Sequence, residues 1–167
     1  MARLPIVTYG DPVLRRPCHP VREITAELQR LIDDMVETMH RAPGVGLAAN
    51  QVGLPLRLFV ANPSDDHDPA GLLVFLNPEL VAVRDGEERM NEGCLSIPDV
   101  REAVGRPRVA VVRGLDRHGK PQEIEGRDLL ARIFQHEMDH LNGLVFVDRL
   151  SPAKRDILLR KLRKAAR

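Results

Sequence analysis

The segment His136-Glu137-Met138-Asp139-His140 contains the residues best suited to carry out chemistry. Residues four apart lie on one face of a helix, so the imidazoles of His136 and His140 can bind the same metal ion. Glu137 would lie beside that ion, where a carboxylate can act as a general acid and base. The segment therefore favours a metal-dependent hydrolase over a polar helix face that holds two histidines by chance.

A catalytic ion also needs a third protein ligand and an open coordination position for water. In one class of zinc peptidases the third ligand is a histidine further along the same segment, but Phe146 occupies that position here. Cys94 is the better candidate, because a thiolate beside two imidazoles suits a divalent transition metal. Gly93 would let the backbone pass close to the ion. The other cysteine, Cys18, lies among prolines and is expected to be structural.

A segment rich in glycine and alanine, residues 44–53, precedes both of these motifs. Its small side chains leave the backbone accessible, which suits a wall along which an extended peptide lies. The Lys-Ser/Thr pair of a phosphate-binding loop is missing, so a nucleotide site is not expected. Gln51 is the informative polar residue of this segment, because its side-chain amide offers a hydrogen-bond donor.

Taken in order, these three segments resemble the motifs of peptide deformylases. Residues 44–51 match Gly-x-Gly-Leu-Ala-Ala-x-Gln, residues 92–96 match Glu-Gly-Cys-Leu-Ser, and residues 135–140 match Gln-His-Glu-x-Asp-His. Asn50 falls at a variable position of the first motif. The resemblance implies an enzyme that removes the formyl group from the N-terminal formyl-methionine of newly synthesised polypeptides and releases formate.

The resemblance also implies a role for each catalytic residue. Metal-bound hydroxide would attack the formyl carbon, and Glu137 would take up the proton and deliver it to the departing amine. The oxyanion would be stabilised by the Gln51 side chain and the Leu95 backbone N–H. The implied metal ligands are Cys94, His136 and His140.

For the substrate, the resemblance implies a backbone hydrogen bond from Gly46 and an apolar slot for the methionine side chain. The resemblance also implies one divalent ion per chain, with ferrous iron as the native metal and zinc, nickel or cobalt as alternatives in purified protein; the donor set itself accepts any of these metals. Asp139 should face away from His136 and pair with an arginine, for which Arg106 is the candidate. The residues expected to line the methionine slot are Val45, Met90, Leu129 and Ile133.

The helices and strands that the sequence predicts must position these residues. Together they indicate an α+β fold with mixed or antiparallel β-sheets around a central metal-binding helix. One domain, residues 1–167, is expected. Thr25 can cap an N-terminal helix whose apolar residues recur at spacings of three and four as far as residue 41. The metal-binding helix is predicted over 127–142 and a basic helix over 152–167. Short strands are predicted at 56–61, 72–76, 79–84, 109–113 and 122–125, with a hairpin turn at 116–119.

The amino-acid composition limits which binding partners and which cellular location are expected for this protein. Aromatic residues make up 3% of the chain and Trp is absent, so neither a stacking surface for nucleic acid nor specific DNA binding is expected. Basic side chains concentrate in residues 152–167, which favours an anionic partner for this segment. The resemblance implies that this partner is the ribosome, and the contact is expected to be weak and salt-sensitive. No apolar segment approaches the ~20 residues that span a bilayer, and no secretory signal is recognisable. These observations favour the cytoplasm and no membrane contact. A bacterial cytoplasm is expected rather than an organelle, because the residues before the first helix leave no room for a long transit peptide.

Two other classes of protein stay open on the sequence alone. A zinc endopeptidase could use the same helix, but it needs a histidine or glutamate ligand further along. After His140 the chain offers only Asp148 and Asp156 as acids, and no histidine follows. A non-catalytic, metal-stabilised RNA-binding module would close its site with four protein ligands, whereas only three are identified.

Overall fold

The computed structural model describes residues 2–165, so residue 1 of the expected domain and residues 166–167 of the predicted basic helix lie outside the described residues. The first helix, α1, spans Ala26–Arg41. It begins where the Thr25 side chain accepts a hydrogen bond from the Leu28 backbone N–H, which confirms the predicted cap. Its buried apolar residues follow the predicted spacing: Leu28, Ile32, Met35 and Met39.

Five strands form one antiparallel sheet, in which they lie in the order of the chain. The predicted turn at 116–119 joins the last two strands, and Gly119 adopts the left-handed conformation there with φ 86°. The α+β class is confirmed. The strands are β1 (Gly46–Ala48), β2 (Leu58–Ala61), β3 (Leu73–Cys94), β4 (Ile97–Leu115) and β5 (Pro121–Arg127).

The length of β3 and β4 is the main difference from the sequence prediction. The segments predicted at 72–76 and 79–84 are parts of one strand, and β3 and β4 pair from Leu76 and Leu115 to Cys94 and Ile97. No strand was predicted over 85–108, because that stretch is charged and lacks a regular apolar alternation. The two strands are joined by a two-residue turn, Leu95-Ser96. The long hairpin thus presents Cys94 at its tip.

The central helix, α2, spans Leu129–Leu141 and is slightly shorter than predicted. Every residue from Ala131 onward is buried. The helix lies against β1, β2, β4 and β5, and the Phe134 ring meets Phe75 edge-on with 5.7 Å between centroids. Polar side chains on a helix buried on all sides are costly unless each finds a partner. Most polar residues of α2 have such partners, whereas the Glu137 Oε1 has none among the described residues.

The last helix, α3, spans Pro152–Ala165 and confirms the predicted basic helix. Leu158, Leu159 and Leu162 pack onto an apolar cluster that includes Ile97 of β4. Ile157 is 57% exposed, because it lies off the face that Leu158 and Leu162 share. None of the described helices is long and apolar enough to cross a bilayer.

Candidate metal centre

Cys94, His136 and His140 come together from two elements, the tip of the β3–β4 hairpin and helix α2. The Cys94 Sγ lies 3.3 Å from the His140 Nε2, which lies 3.2 Å from the His136 Nε2. The three ligand atoms lie within 4.8 Å of one another, and no other such group occurs among residues 2–165. The two motifs selected from the sequence therefore meet in space.

The spacing of these atoms fits a shared metal ion. Tetrahedral ligand bonds of about 2.0–2.3 Å separate neighbouring ligand atoms by roughly 3.3–3.6 Å, close to the distances found here. His140 is fully buried, and burial lowers the pKa of its ring, which favours the neutral form that binds metal. Two imidazoles and one thiol suit a divalent transition metal.

Glu137 lies beside this group with one carboxylate oxygen free. The side chain is buried, and its Oε1 has no hydrogen-bond partner among the described residues. Burial raises the pKa of Glu137 to about 7, although the neighbouring His136 acts in the opposite direction. The Oε2 atom faces Gly46 of β1, where an added Cβ would lie 2.5 Å away. The carboxylate is thus enclosed between α2 and β1.

Gln51 holds its amide in one orientation. Its Oε1 accepts a hydrogen bond from the Ala48 backbone N–H at 2.9 Å, so the Nε2 points towards the hairpin tip. There Nε2 donates to the Ser96 Oγ at 3.1 Å and lies 3.6 Å from the Cys94 Sγ. The backbone N–H of Leu95 was predicted to be the second donor to the oxyanion. Leu95 belongs to the hairpin turn with Ser96 and lines the adjoining cleft. Both donors therefore lie in the immediate surroundings of Cys94.

A buried network of charged side chains centred on Glu92 lies behind the ligands. The Glu92 Oε2 lies 2.7 Å from the His136 Nδ1, and this hydrogen bond leaves the Nε2 of that ring directed at the other ligands. Arg106 donates to both Glu92 oxygens, at 2.7 and 2.6 Å. Burial disfavours the charged carboxylate, but the hydrogen bonds from His136 and Arg106 hold the pKa of Glu92 well below its usual range.

Asp139 is the second acid of this network. The Arg106 Nη1 donates to its Oδ2 at 3.0 Å, which confirms the partner selected from the sequence. Arg149 donates to both oxygens of Asp139, at 3.1 and 2.6 Å, in the paired geometry that a guanidinium allows. Asp139 thus ties α2 to the hairpin on one side and to the segment before α3 on the other.

The ligand group opens into a cleft with a volume of about 1070 Å³. Met90, predicted for the methionine slot, is not among the lining residues and is 39% exposed on β3. Arg132 lines the cleft, and its guanidinium bonds to the Glu88 carbonyl and the Glu92 carboxylate, which lie on either side of Met90 along the strand. Four residues predicted to contact the substrate do line the cleft: Val45, Gly46, Leu129 and Ile133.

Several contacts of the site were missed from the sequence. Asn50, treated as a variable position, donates a hydrogen bond to the His140 backbone carbonyl at 2.7 Å. Arg132 precedes His136 by four residues, and that helical spacing was the available signal for it. Phe146, which stands where a zinc peptidase would have its third histidine, stacks against the His136 ring with 6.4 Å between centroids.

Comparison with known proteins agrees with this geometry. The sequence model of the polypeptide deformylase family matches residues 3–156. A peptide deformylase of Syntrophobacter fumaroxidans is 51% identical over 164 residues, which cover 98% of this chain and 96% of that protein. The crystal structure of a peptide deformylase from Legionella pneumophila is 46% identical with a TM-score of 0.91, covering 99% of this chain and 96% of that one. A peptide deformylase from Synechococcus elongatus in complex with actinonin is 42% identical with a TM-score of 0.88, covering 93% and 84%.

Proposed function

Because this chain belongs to the peptide deformylase family, we propose that it removes the formyl group from formyl-methionine at the start of newly synthesised polypeptides and releases formate. One observation carries the proposal: Glu137 is a buried carboxylate with a free oxygen, placed beside a cysteine–histidine–histidine group at the wall of an open cleft. Amide hydrolysis needs a group that accepts a proton from water and returns it to the leaving nitrogen, and Glu137 is placed for both.

We propose that Cys94, His136 and His140 bind one divalent ion, with ferrous iron as the native metal. A bound ion of this kind polarises a carbonyl group and lowers the pKa of water. The donor set supports a transition metal, and the same donors accept zinc, nickel or cobalt. The Glu92–His136 hydrogen bond also supports the assignment, because ligand histidines usually donate their second N–H to a carboxylate or carbonyl.

The free Oε1 of Glu137 is the atom that would accept the proton of the attacking water. When the formyl C–N bond breaks, the same oxygen returns the proton to the methionine amine. The Oε2 lies against Gly46, so the carboxylate has little freedom to turn away between the two steps. Proton transfer of this kind contributes typically about 10²–10⁴-fold to the rate.

Negative charge that develops on the formyl oxygen needs donors that are already oriented. The Gln51 Nε2 meets this requirement, because the bond from Ala48 to Oε1 fixes the direction of the amide. The Leu95 backbone N–H would be the second donor, from the turn that follows Cys94. Losing one such donor costs about 3–4 kcal/mol of barrier, so Gln51→Ala should lower kcat by about 10²–10³-fold.

The substrate backbone would lie along β1, where Gly46 leaves room between the strand and Glu137. Val45, Leu129 and Ile133 supply apolar surface for the methionine side chain. The relative from Synechococcus elongatus was solved in complex with actinonin, and we propose that the same compound occupies this cleft. Actinonin should then compete with the formylated substrate.

The deciding experiment is formate release from formyl-Met-Ala-Ser by ferrous-loaded protein without oxygen. The wild type should release formate rapidly, whereas Glu137→Ala should be inactive with its metal still bound, because Glu137 is outside the ligand group. Glu125→Ala, which removes an exposed carboxylate, is the control and should retain activity. A folded, metal-loaded wild type that releases no formate would contradict the proposal.

We further propose that α3 contacts ribosomal RNA, in the bacterial cytoplasm where formylated chains are made. Its leucines face the protein, and Arg160, Arg163 and Lys164 are exposed. Phosphate contacts release counterions, so binding should fall steeply between about 50 and 200 mM salt. Changing these three residues to glutamate should abolish co-sedimentation with ribosomes without lowering activity on the tripeptide. Unchanged co-sedimentation would contradict this contact.

A further inference from the structure

The buried side chain of Arg132 connects helix α2 to both strands of the hairpin. It is 7% exposed and lies one turn before His136. Its guanidinium donates to the Glu92 Oε1 at 3.0 Å and the Glu88 carbonyl at 2.7 Å on β3, and to the Val104 carbonyl at 2.9 Å on β4. We propose that Arg132 is a positioning residue that fixes the Cys94 hairpin against the histidine-bearing helix, and so holds the metal ligands in register.

The need for such a link follows from where the ligands lie. Cys94 belongs to the hairpin, whereas His136 and His140 belong to α2, so the ligand geometry depends on how these two elements are fixed to each other. The β3–β4 ladder is irregular between Gly93 and Cys94, so regular strand pairing does not by itself fix the thiol. A functional constellation tolerates displacements of only about 0.5 Å. A side chain that ties α2 to the hairpin two residues before Cys94 meets this requirement.

The guanidinium makes these three contacts from two nitrogens, Nη1 and Nη2. Its planar fork offers five N–H donors in fixed directions, whereas a lysine ammonium is a single point of charge and a methionine has no donor. Glu92 would still have its hydrogen bonds with Arg106 and His136 if Arg132 were replaced. We therefore expect the fold to survive the substitution while the hairpin loses its attachment on the cleft side.

The inference rests on the proposed metal site, so its main readouts are metal retention and spectroscopy. In Arg132→Met, metal affinity measured by chelator competition well below Tm should fall about 10–100-fold, as typical for residues that support metal ligands. The visible spectrum of the cobalt-loaded variant should change, because the thiolate–cobalt band depends on the position of Cys94. Arg132→Lys keeps the charge but loses the fork, and should give an intermediate loss of affinity.

Arg149→Met is the matched control. It removes a guanidinium from the same charged network, but the hydrogen bonds of Arg149 go to Asp139 and not to the hairpin. Its metal affinity should stay within about 2-fold of the wild type, since no ligand-bearing strand is released.

A folded Arg132→Met with wild-type metal affinity and a wild-type cobalt spectrum would overturn the inference, even if its activity were lower. If that variant fails to fold, Arg132→Lys decides in the same way, and wild-type metal retention by it would overturn the inference. A wild-type protein that binds metal tightly but releases no formate would instead contradict the proposed function, and would leave the metal readouts of Arg132 valid.

Discussion

The place of the Glu137 carboxylate is set by a residue that has no side chain. An added Cβ at Gly46 would lie 2.5 Å from the Glu137 Oε2 and 3.0 Å from the Ile133 Cγ2. Both neighbours are buried, so neither can move away into solvent. Glycine at position 46 therefore leaves the space that the carboxylate occupies beside the ligand group.

Gly46→Ala is expected to lower kcat by about 10²-fold, because a displacement of about 1 Å at a catalytic group costs that much. Gly105→Ala is the matched control, since its added Cβ would lie 2.9 Å from the Glu87 Oε2, an exposed carboxylate that can move aside. Steady-state kinetics on formyl-Met-Ala-Ser compares the two variants. The explanation fails if Gly46→Ala is as active as the control.

The two thiols should differ sharply in reactivity. Burial raises the pKa of Cys18 to about 11, against a smaller opposing effect of Arg57. A raised pKa leaves the thiol protonated at pH 8, with about 0.1% as the reactive thiolate, and this fraction grows only as the pH approaches 11. In folded, metal-free protein at pH 8, iodoacetamide should modify Cys94 in the cleft and spare Cys18. Peptide mass spectrometry checks this, with Cys94→Ser as the control that should remain unlabelled.

At the scale of elements, α2 and its neighbours share a group of buried or half-buried charges. Glu92 and Asp139 are the acids, and Arg106 bonds to both of them. Arg132 also pairs with Glu92, and Arg149 also pairs with Asp139. A buried network of this kind is tolerated only when every member has its partners, because an unpaired charge in the interior is costly. The network thus fixes the relative placement of α2, the hairpin and the segment before α3.

Arg106→Met is expected to destabilise the protein by about 3–5 kcal/mol, because it leaves the buried Glu92 and Asp139 each short of a donor. The control is Arg84→Met, whose ion pair with Glu125 is exposed and should contribute less than about 1 kcal/mol. Urea unfolding of the metal-loaded variants measures both free energies of unfolding. Similar small losses in the two variants would show that the network does not stabilise the fold.

At the scale of the whole molecule, a bound ion would join the hairpin to the central helix by ligands from both. The same two elements are held together by the charged network, and α3 packs its leucines against β4. We therefore propose that the chain forms one catalytic domain whose stability is coupled to metal binding.

Metal removal is expected to lower the thermal stability. At a free metal concentration of 100 times the Kd, binding contributes about 2.7 kcal/mol, which is about 5–10 °C in Tm for a chain of this size. Scanning calorimetry with and without a chelator measures the shift. Cys94→Ala should make the Tm insensitive to the chelator, and a wild-type Tm that chelation leaves unchanged would exclude the coupling.

Local sequence patterns were enough to place the ends of α1 and α2 to within about two residues, and to identify the basic helix and the three residues of the ligand group. These features depend on local signals: the Thr25 cap, apolar residues at helical spacing, and two histidines four residues apart. Helical phase also turns Asp139 away from His136 and favours an arginine partner, but the fold decides that Arg106 is one of its partners.

Only folding fixes the length of β3 and β4 and the contacts of Glu92 and Arg132. Residues 85–108 pair with each other along the hairpin, and a charged, half-exposed ladder lacks the apolar alternation that marks a strand in the sequence. Arg132 lies beside the strand at Met90 because its acceptors are two backbone carbonyls and a carboxylate, which only the folded hairpin brings within its reach. Contacts between distant segments depend on packing, and local sequence patterns do not encode them.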